Sequence, residues 1–297
     1  MPILFALTGA TGIGKSQLSL SLAERFDAEL IGMDSRQIYK GFAIGTAQPP
    51  ICDRQRVRHH LVDFLSPEQS YSAGEFVRDV KRILDDNPSK NFILVGGTGL
   101  YLQALVLGLP KIPKADVNER LQYERVAEEQ GVDTLYKMAL DIDPESVQKM
   151  EGRNVQKIIR ILEVWKATGE KLSELQKKRE GGIGEIPVFW LNRSRENLYA
   201  RINARVDKMM EAGWLQEIQE LAKVVPIDAP AWQSLGYREL LGAGNDSEID
   251  KILEEVKKKT RNYAKRQLTW FRWQVKSTSI DLDIEKNAAD LIEKIAR

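Results

Sequence analysis

The chain has 297 residues, 42% hydrophobic and 29% charged, enough to bury a substantial core in one large or two smaller domains, and unlike a disordered or collagen-like sequence. Lys and Arg total 44 against 43 Asp and Glu, a formal net charge of +1, so no overall field draws the molecule to a polyanion and any nucleic-acid contact must come from a local patch. One cysteine, Cys52, with only His59 and His60 beside it, excludes an internal disulfide and leaves too few soft ligands for a structural zinc.

The residues before Gly9 lack the basic and apolar regions of a secretory leader, and no run approaches the roughly 18 apolar residues of a membrane span. A cytoplasmic protein without membrane contact is the expectation.

In chain order, Ile3-Leu4-Phe5-Ala6-Leu7-Thr8 is an unbroken apolar run of the kind found in strands buried on both faces. A glycine-rich segment follows, and then Leu18, Leu22 and Phe26 recur every four residues as on a helix. Leu30-Ile31-Gly32-Met33 and Phe92-Ile93-Leu94-Val95 read as two further strands. Between them Phe76, Val80 and Ile83 or Leu84 mark an amphipathic helix closed by Asn87-Pro88. Alternating strands and helices predict a parallel sheet whose ligand crevice lies beyond the C-terminal strand ends.

From about Ala115 to Glu185 the apolar runs give way to helical patterning, as in Val155, Ile158, Ile159, Leu162 and Trp165. Gly181-Gly182-Ile183-Gly184 reads as a loose connector, after which Ile186-Pro187-Val188-Phe189-Trp190-Leu191 resembles another core strand. Helices are predicted over 195–212, 247–275 and 285–296. The fold expected is α/β, a P-loop NTPase-like parallel sheet core in two parts, residues 1–114 and 186–297, interrupted by an all-helical insertion over 115–185.

Gly9-Ala10-Thr11-Gly12-Ile13-Gly14-Lys15-Ser16 satisfies G-x-x-x-x-G-K-[ST] between a strand and a helix, the context a phosphate-binding loop requires. Backbone N–H groups and the helix N-terminus favour phosphate oxygens, Lys15 neutralises charge, and Ser16 is the candidate ligand for Mg2+. Nucleoside triphosphatases usually carry a magnesium-holding aspartate after a second apolar strand. Here Phe92-Ile93-Leu94-Val95 runs into Gly96-Gly97-Thr98-Gly99 instead. A carboxylate stands elsewhere, as Asp34 directly after Met33, where it serves as a metal ligand, as a general base, or as a turn aspartate. His59 and His60 have no second metal-ligand pair and read as hydrogen-bonding core residues.

On the segment 257–272, Lys258, Arg261, Lys265 and Arg272 fall within a narrow arc of one helix, with Val256, Tyr263, Gln267 and Phe271 turned elsewhere. Such a stripe suits phosphate-backbone contact, or equally a face paired with acidic helices.

Together these blocks resemble the tRNA dimethylallyltransferase family. The resemblance rests on the glycine loop, on Asp34-Ser35-Arg36-Gln37-Ile38-Tyr39-Lys40-Gly41, Ile44-Gly45-Thr46-Ala47, His59-His60-Leu61-Val62-Asp63 and Val95-Gly96-Gly97-Thr98-Gly99-Leu100-Tyr101-Leu102. It continues in Arg160-Ile161-Leu162-Glu163-Val164, Leu235-Gly236-Tyr237-Arg238-Glu239 and Arg261-Asn262-Tyr263-Ala264-Lys265-Arg266-Gln267-Leu268-Thr269-Trp270, so it covers nearly the whole chain. Ala10, Gly12 and Ile13 depart from the family's usual loop, and Gln48 stands where lysine is usual.

The resemblance implies transfer of a dimethylallyl group from dimethylallyl diphosphate to N6 of adenine 37, beside the anticodon of tRNAs reading codons that begin with U. The loop 9–16 would then cradle the donor's diphosphate, and a carbon–oxygen bond would break without phosphoryl transfer. By the same resemblance Asp34 would accept the N6 proton, Thr98 would orient the base or the donor, and Arg205 would stabilise the leaving group. On spacing alone Arg205 is an exposed helix arginine. The tRNA would be gripped by Asp34, Ser35, Arg36, Gln37, Thr98, Arg120, Gln156, Lys157, Ile158, Ile159 and Arg160, with the target base extruded from its stack. A monomer is expected. Three other readings compete: an adenylate isopentenyltransferase acting on a free nucleotide, a P-loop small-molecule kinase, and a non-catalytic RNA-binding module.

Overall fold

The computed structural model describes residues 2–113, 116–150, 152–274 and 276–296. The predicted insertion start at Ala115 and helix end at Val275 lie outside the described residues. Among those described, six strands form one parallel sheet: β1 (Ile3–Gly9), β2 (Ala28–Met33), β3 (His59–His60), β4 (Asn91–Gly96), β7 (Val188–Asn192) and β8 (Thr278–Asp281), in the order β3-β2-β4-β1-β7-β8. A separate antiparallel pair joins β5 (Leu109–Pro110) to β6 (Arg179–Glu180).

The apolar runs become the central strands because both faces of the sheet are covered. Phe5 packs edge-on against Phe26 and Phe189, with ring centroids 5.5 and 5.2 Å apart, in a core completed by Leu22, Ile93, Leu191, Leu198, Ile202 and Ile292. Pro187, in the segment read as a core strand, lies just outside β7, where its carbonyl accepts from the Ala6 amide at 2.9 Å. Register places Leu7 beside Val95 and Phe189, and Gly9 beside Leu191. The C-terminal ends of β1, β2 and β4 therefore open at the same edge.

The helix Ala73–Asp86 is fixed at its start by a reciprocal pair: the Ser72 hydroxyl accepts from the Glu75 amide, and the Glu75 carboxylate accepts from the Ser72 amide. Its Phe76 and Val80 are buried as the spacing predicts, and of the two candidates for the next turn Ile83 is buried and Leu84 partly so. Predicted helix bounds hold closely for Arg195–Glu211 and Asp246–Gln274, and the last helix starts three residues later than expected, at Ala288–Ala296. The sequence reading gave neither β3 nor β8, two short strands at opposite sheet edges whose pattern is too brief to stand out.

The chain divides into one compact unit of Met1–Gln103 with Glu185–Arg297 and a second of Ala104–Gly184. The second has its own core, built on Leu135, Ala139, Val147, Ile158, Ile159 and Leu162. Its helix Val155–Thr168 is capped by the Asn154 side chain and ended by Gly169 in a left-handed conformation. Two expectations need correction here. The unit is not wholly helical, because it holds the β5–β6 pair. The 181–184 segment is not loose: the Ile183 and Gly184 amides donate to the carbonyls of Leu105 and Val106 at 2.8 and 3.2 Å. Trp165 also leaves the predicted apolar stripe and is exposed.

A buried aromatic group of Phe42, Trp214, Trp232 and Tyr237 anchors the turn at 43–47. The Glu217 carboxylate accepts from the Ala43 and Ile44 amides at 3.1 and 2.8 Å and from the Tyr237 hydroxyl at 2.6 Å. Gly45 lies so close to Trp214 that a Cβ there would overlap the indole nitrogen. Trp214 is itself fully enclosed and cannot retreat. Gly45→Ala is therefore expected to lose about 1–3 kcal/mol of stability by overpacking, read as a lowered urea midpoint with an unchanged slope.

Candidate active site

The loop between β1 and the helix Lys15–Arg25 is held from outside. The Arg193 Nε donates to the Ile13 carbonyl and the Arg201 Nε to the Gly12 carbonyl, each at 3.0 Å. Arg205 donates to the Thr11 hydroxyl at 2.6 Å, and the Gln267 side-chain oxygen accepts from the Thr11 amide at 2.8 Å. Gly12, at φ 79°, packs so tightly that a Cβ would come within 2.8 Å of Ile202. The loop needs glycine there for both its backbone angle and its clearance.

Carbonyls thus face the clamping side chains, and the helix start keeps its donors. Gly14, the N-cap residue, is left-handed with no side-chain cap. Among the described residues the Gly14, Lys15 and Ser16 amides have no intrachain acceptor. These donors, with the positive end of the helix dipole, are the elements of an oligophosphate site. Ala10 and Ile13, by contrast, are fully buried, and the Ile13 amide is spent on the Ala10 carbonyl at 3.3 Å. The expectation that every position from 9 to 16 meets phosphate is corrected accordingly: the side chains of Ala10 and Ile13 serve the core, and the Thr11 and Ile13 amides are already engaged.

Lys15 reaches back to the carbonyls of Gly9 and Ala10 at 2.8 and 2.9 Å. Burial lowers its ammonium to about 8, with the Asp34 carboxylate opposing the shift and Arg205 adding to it. Burial lowers the Arg205 guanidinium too, again opposed by Asp34. The Arg205 Nε is buried without a partner in the chain, so the residue that spacing left on an exposed surface is instead part of this site.

Asp34 follows β2 immediately. One carboxylate oxygen, Oδ1, accepts from the Arg36 and Gln37 amides at 2.8 and 3.3 Å, which is the turn role that spacing allowed. No partner within the chain holds Oδ2 among the described residues. The carboxylate lies within electrostatic reach of Lys15, Arg205, Tyr101 and Tyr263. Burial, reinforced by that carboxylate, raises the Tyr101 phenol, and raises Tyr263 to about 12. Thr98 joins the same turn, because its amide donates to the Met33 carbonyl at 3.2 Å and its hydroxyl accepts from the Ser35 amide at 3.2 Å.

Lys15, Ser16, Asp34, Gln37, Arg201 and Arg205 line one cavity of about 410 Å³, which Thr98 adjoins through its bond to the Ser35 amide without lining it. Leu30, Val62 and Val95 give part of it an apolar wall. His59 and His60 are hydrogen-bonded, to the Val57 carbonyl at 2.8 Å and to Glu29 at 2.6 Å, and His59 also lines the cavity. The Ser16 side chain is exposed at the loop. No group of three His, Cys, Asp or Glu residues is arranged to hold a metal among the described residues.

Of the remaining predicted contacts, Gln37 spends its side-chain amide on the Thr46 and Ala47 carbonyls at 3.1 and 2.7 Å. Arg36 is partly buried and donates to the Pro230 carbonyl at 3.4 Å, and Ser35 is partly buried beside it. Gln48 is enclosed and donates to the Gln37 and Tyr39 carbonyls. In the second unit, Gln156 and Lys157 are exposed. Arg120 and Arg160 both engage Glu163, at 2.9 and 3.2 Å. Ile158 and Ile159 are buried to 0% and 1% exposure. Their assignment to RNA contact is corrected: they occupy the helix's core face, one residue beyond Lys157.

The basic arc on Asp246–Gln274 is divided in use. Lys265 and Arg272 are exposed, Lys258 lies 3.5 Å from Glu255, and Arg261 turns to Asn203 at 2.7 Å. Arg193, Arg201 and Gln267 escaped the sequence reading. Arg201 and Arg205 stand four apart on one helix face, a spacing that pairs them once the loop is known to lie opposite. Gln267 carried no such signal.

A family model described as IPP transferase matches residues 37–274. The tRNA dimethylallyltransferase of Fusobacterium nucleatum is 39% identical over 268 residues, covering 90% of this chain and 87% of that protein. The crystal structure of the tRNA delta(2)-isopentenylpyrophosphate transferase of Staphylococcus epidermidis is 30% identical, covers 99% of this chain and 98% of its own, and superposes with a TM-score of 0.69. A eukaryotic dimethylallyltransferase acting on tRNA is 28% identical, with a TM-score of 0.79 over 98% of this chain and 77% of its own.

An anion binds the charged form of Lys15, so affinity for inorganic pyrophosphate is expected to hold below about pH 8 and to weaken above it, by up to about tenfold per pH unit. Calorimetric titration across this range, with Lys15→Met as the reference for pyrophosphate's own ionisation, checks it: the extra pH dependence should be absent from the variant.

Proposed function

The chain belongs to the IPP transferase family, and on that premise we propose that it transfers a dimethylallyl group from dimethylallyl diphosphate to N6 of adenosine 37 in tRNAs reading codons that begin with U. The observation that carries this reading is the pairing, in one cavity, of a phosphate loop with an Asp34 carboxylate oxygen that is free to accept a proton. The names of the relatives favour tRNA over a free nucleotide as acceptor. The kinase reading is weakened by the lack of an acid after β4, which ends in Gly96 before Gly97-Thr98.

The reaction forms the N6–C1 bond and breaks the C1–O bond of the donor. The diphosphate leaves with the bonding pair, and the N6 proton passes to Asp34 Oδ2. Asp34 is suited to this because the backbone amides of Arg36 and Gln37 hold its other oxygen and so fix the carboxylate plane. Thr98 braces the turn and orients the reacting base. The open amides of the loop, with Lys15 and Arg205, stabilise charge as it accumulates on the departing diphosphate. Leu30, Val62 and Val95 offer a dry wall for a short hydrocarbon.

Mg2+ fits the donor set. An ion of this kind keeps several waters and needs only one or two protein oxygens when phosphates supply others, and the exposed Ser16 hydroxyl provides one. Bound there, it would add positive charge to the diphosphate.

In the second unit, the exposed Gln156 and Lys157 would meet the RNA backbone, together with Arg120 and Arg160, which share Glu163 as a partner. Ser35, Arg36 and Gln37 surround the target base through the same turn as Asp34. The molecule acts in the cytoplasm as a monomer. Among the described residues no helix is long and apolar enough to cross a membrane.

Incubation with dimethylallyl diphosphate and unmodified tRNA, followed by nucleoside mass spectrometry, is expected to yield N6-dimethylallyladenosine. A product formed with AMP alone would reject the tRNA assignment. Asp34→Ala is expected to lower the transfer rate by about 10²–10⁴-fold while tRNA affinity by filter binding changes little, and an unchanged rate would remove Asp34 from the chemistry.

A further inference from the structure

Gln267 lies on the helix Asp246–Gln274, far along the chain from both loops of the active site, and is 7% exposed. Its side-chain oxygen accepts from the Thr11 amide at 2.8 Å, and its side-chain nitrogen donates to the Gly97 carbonyl at 2.9 Å. One amide group therefore ties the phosphate loop to the loop that carries Thr98. The fit is close, since a Cβ on Gly97 would overlap the Gln267 amide.

The two loops carry different halves of the reaction proposed above. Thr11 also receives Arg205, so its backbone and hydroxyl report the position of the diphosphate side. Thr98 holds the Asp34 turn through Met33 and Ser35, so Gly97 and Thr98 report the position of the base side. Bond formation between them requires reacting atoms about 3–3.5 Å apart, and displacements of about 1 Å are costly. An amide is the side chain that can accept from one loop and donate to the other with a single rigid plane.

We infer that Gln267 is a positioning residue that sets the spacing between the donor-holding loop and the Asp34–Thr98 acceptor site. Its side chain adjoins the cavity, but both polar ends are spent on the two loops. Asparagine is one methylene too short to reach both loops, and leucine or methionine fills the volume but makes neither bond. The inference rests on the proposed prenyl transfer for its kinetic consequence, and on geometry alone for the coupling of the loops.

Two readouts on the full-length protein separate these. In the first, inorganic pyrophosphate is titrated into ¹⁵N-labelled protein. The wild type is expected to show shifts at the Ser35 and Thr98 amides as well as in the phosphate loop, and Gln267→Met to keep the loop shifts and lose those at Ser35 and Thr98. Equal propagation in the variant would overturn the inference, whatever reaction the protein performs. In the second, single-turnover transfer to tRNA is expected to fall at least tenfold in Gln267→Met, with pyrophosphate and tRNA affinities within about threefold of wild type. An unchanged rate, or a loss accounted for wholly by weaker binding, would overturn it. Should wild type itself form no prenylated tRNA, the functional reading fails, and the first readout still decides the coupling. Gln267→Leu, which is uncharged and likewise makes neither bond, gives the same two readouts if the methionine variant does not fold, and loss of propagation is expected there too.

Discussion

The active site depends on the outward display of amides from a loop that cannot hold itself. A strand-to-helix turn of glycines has little intrinsic preference for one shape, and its carbonyls compete with any anion for the space in front of it. Arg193 and Arg201 resolve the competition by binding the Ile13 and Gly12 carbonyls, while Arg205 and Gln267 fix the loop through the Thr11 hydroxyl and the Thr11 amide. Of the loop's own backbone, what remains to meet an anion is the helix N-terminus with its unpaired donors. Preorganised dipoles of this kind stabilise developing charge without having to reorient during the reaction.

That arrangement also sets the electrostatics. Two cations, Lys15 and Arg205, lie partly buried near each other, and desolvation makes each easier to deprotonate. Asp34 partly offsets this, and an incoming diphosphate would do so far more strongly. The single carboxylate thus has two relationships in one cavity: it supports the cations that hold the donor, and it presents one oxygen where a proton must go. Keeping Oδ1 on the backbone amides of Arg36 and Gln37 prevents the two roles from collapsing into a direct ion pair with both oxygens.

Much of this was legible in the sequence, and the parts that were not share a cause. The unbroken runs at 3–8, 30–33 and 92–95 gave the three central strands because burial on both faces leaves a continuous apolar signature. The loop and Asp34 were found because each follows such a run directly. Spacing alone leaves Arg205 on an exposed surface, where only the family resemblance brings it to the site, and gives Gln267 no role, since their partners Thr11 and Gly97 lie 194 and 170 residues away and no local pattern encodes a contact at that distance. Ile158 and Ile159 illustrate the opposite error. A contiguous block from Gln156 to Arg160 was assigned to RNA, yet on a helix successive residues turn by 100°, so a five-residue block must include core positions. The β5–β6 pair and the bonded 181–184 segment were hidden for a simpler reason: two-residue strands and glycine backbones carry almost no side-chain signal.

The split of the sheet between both ends of the chain has a consequence for synthesis. β1, at the centre of the sheet, gains one neighbour from β4 but the other only from β7, some 90 residues later. A ribosome working at about 5–20 residues per second leaves that edge open for on the order of 5–20 seconds. During this interval a hydrophobic strand with unpaired backbone groups is exposed on the nascent polypeptide, and it is the window in which a chaperone has most to protect.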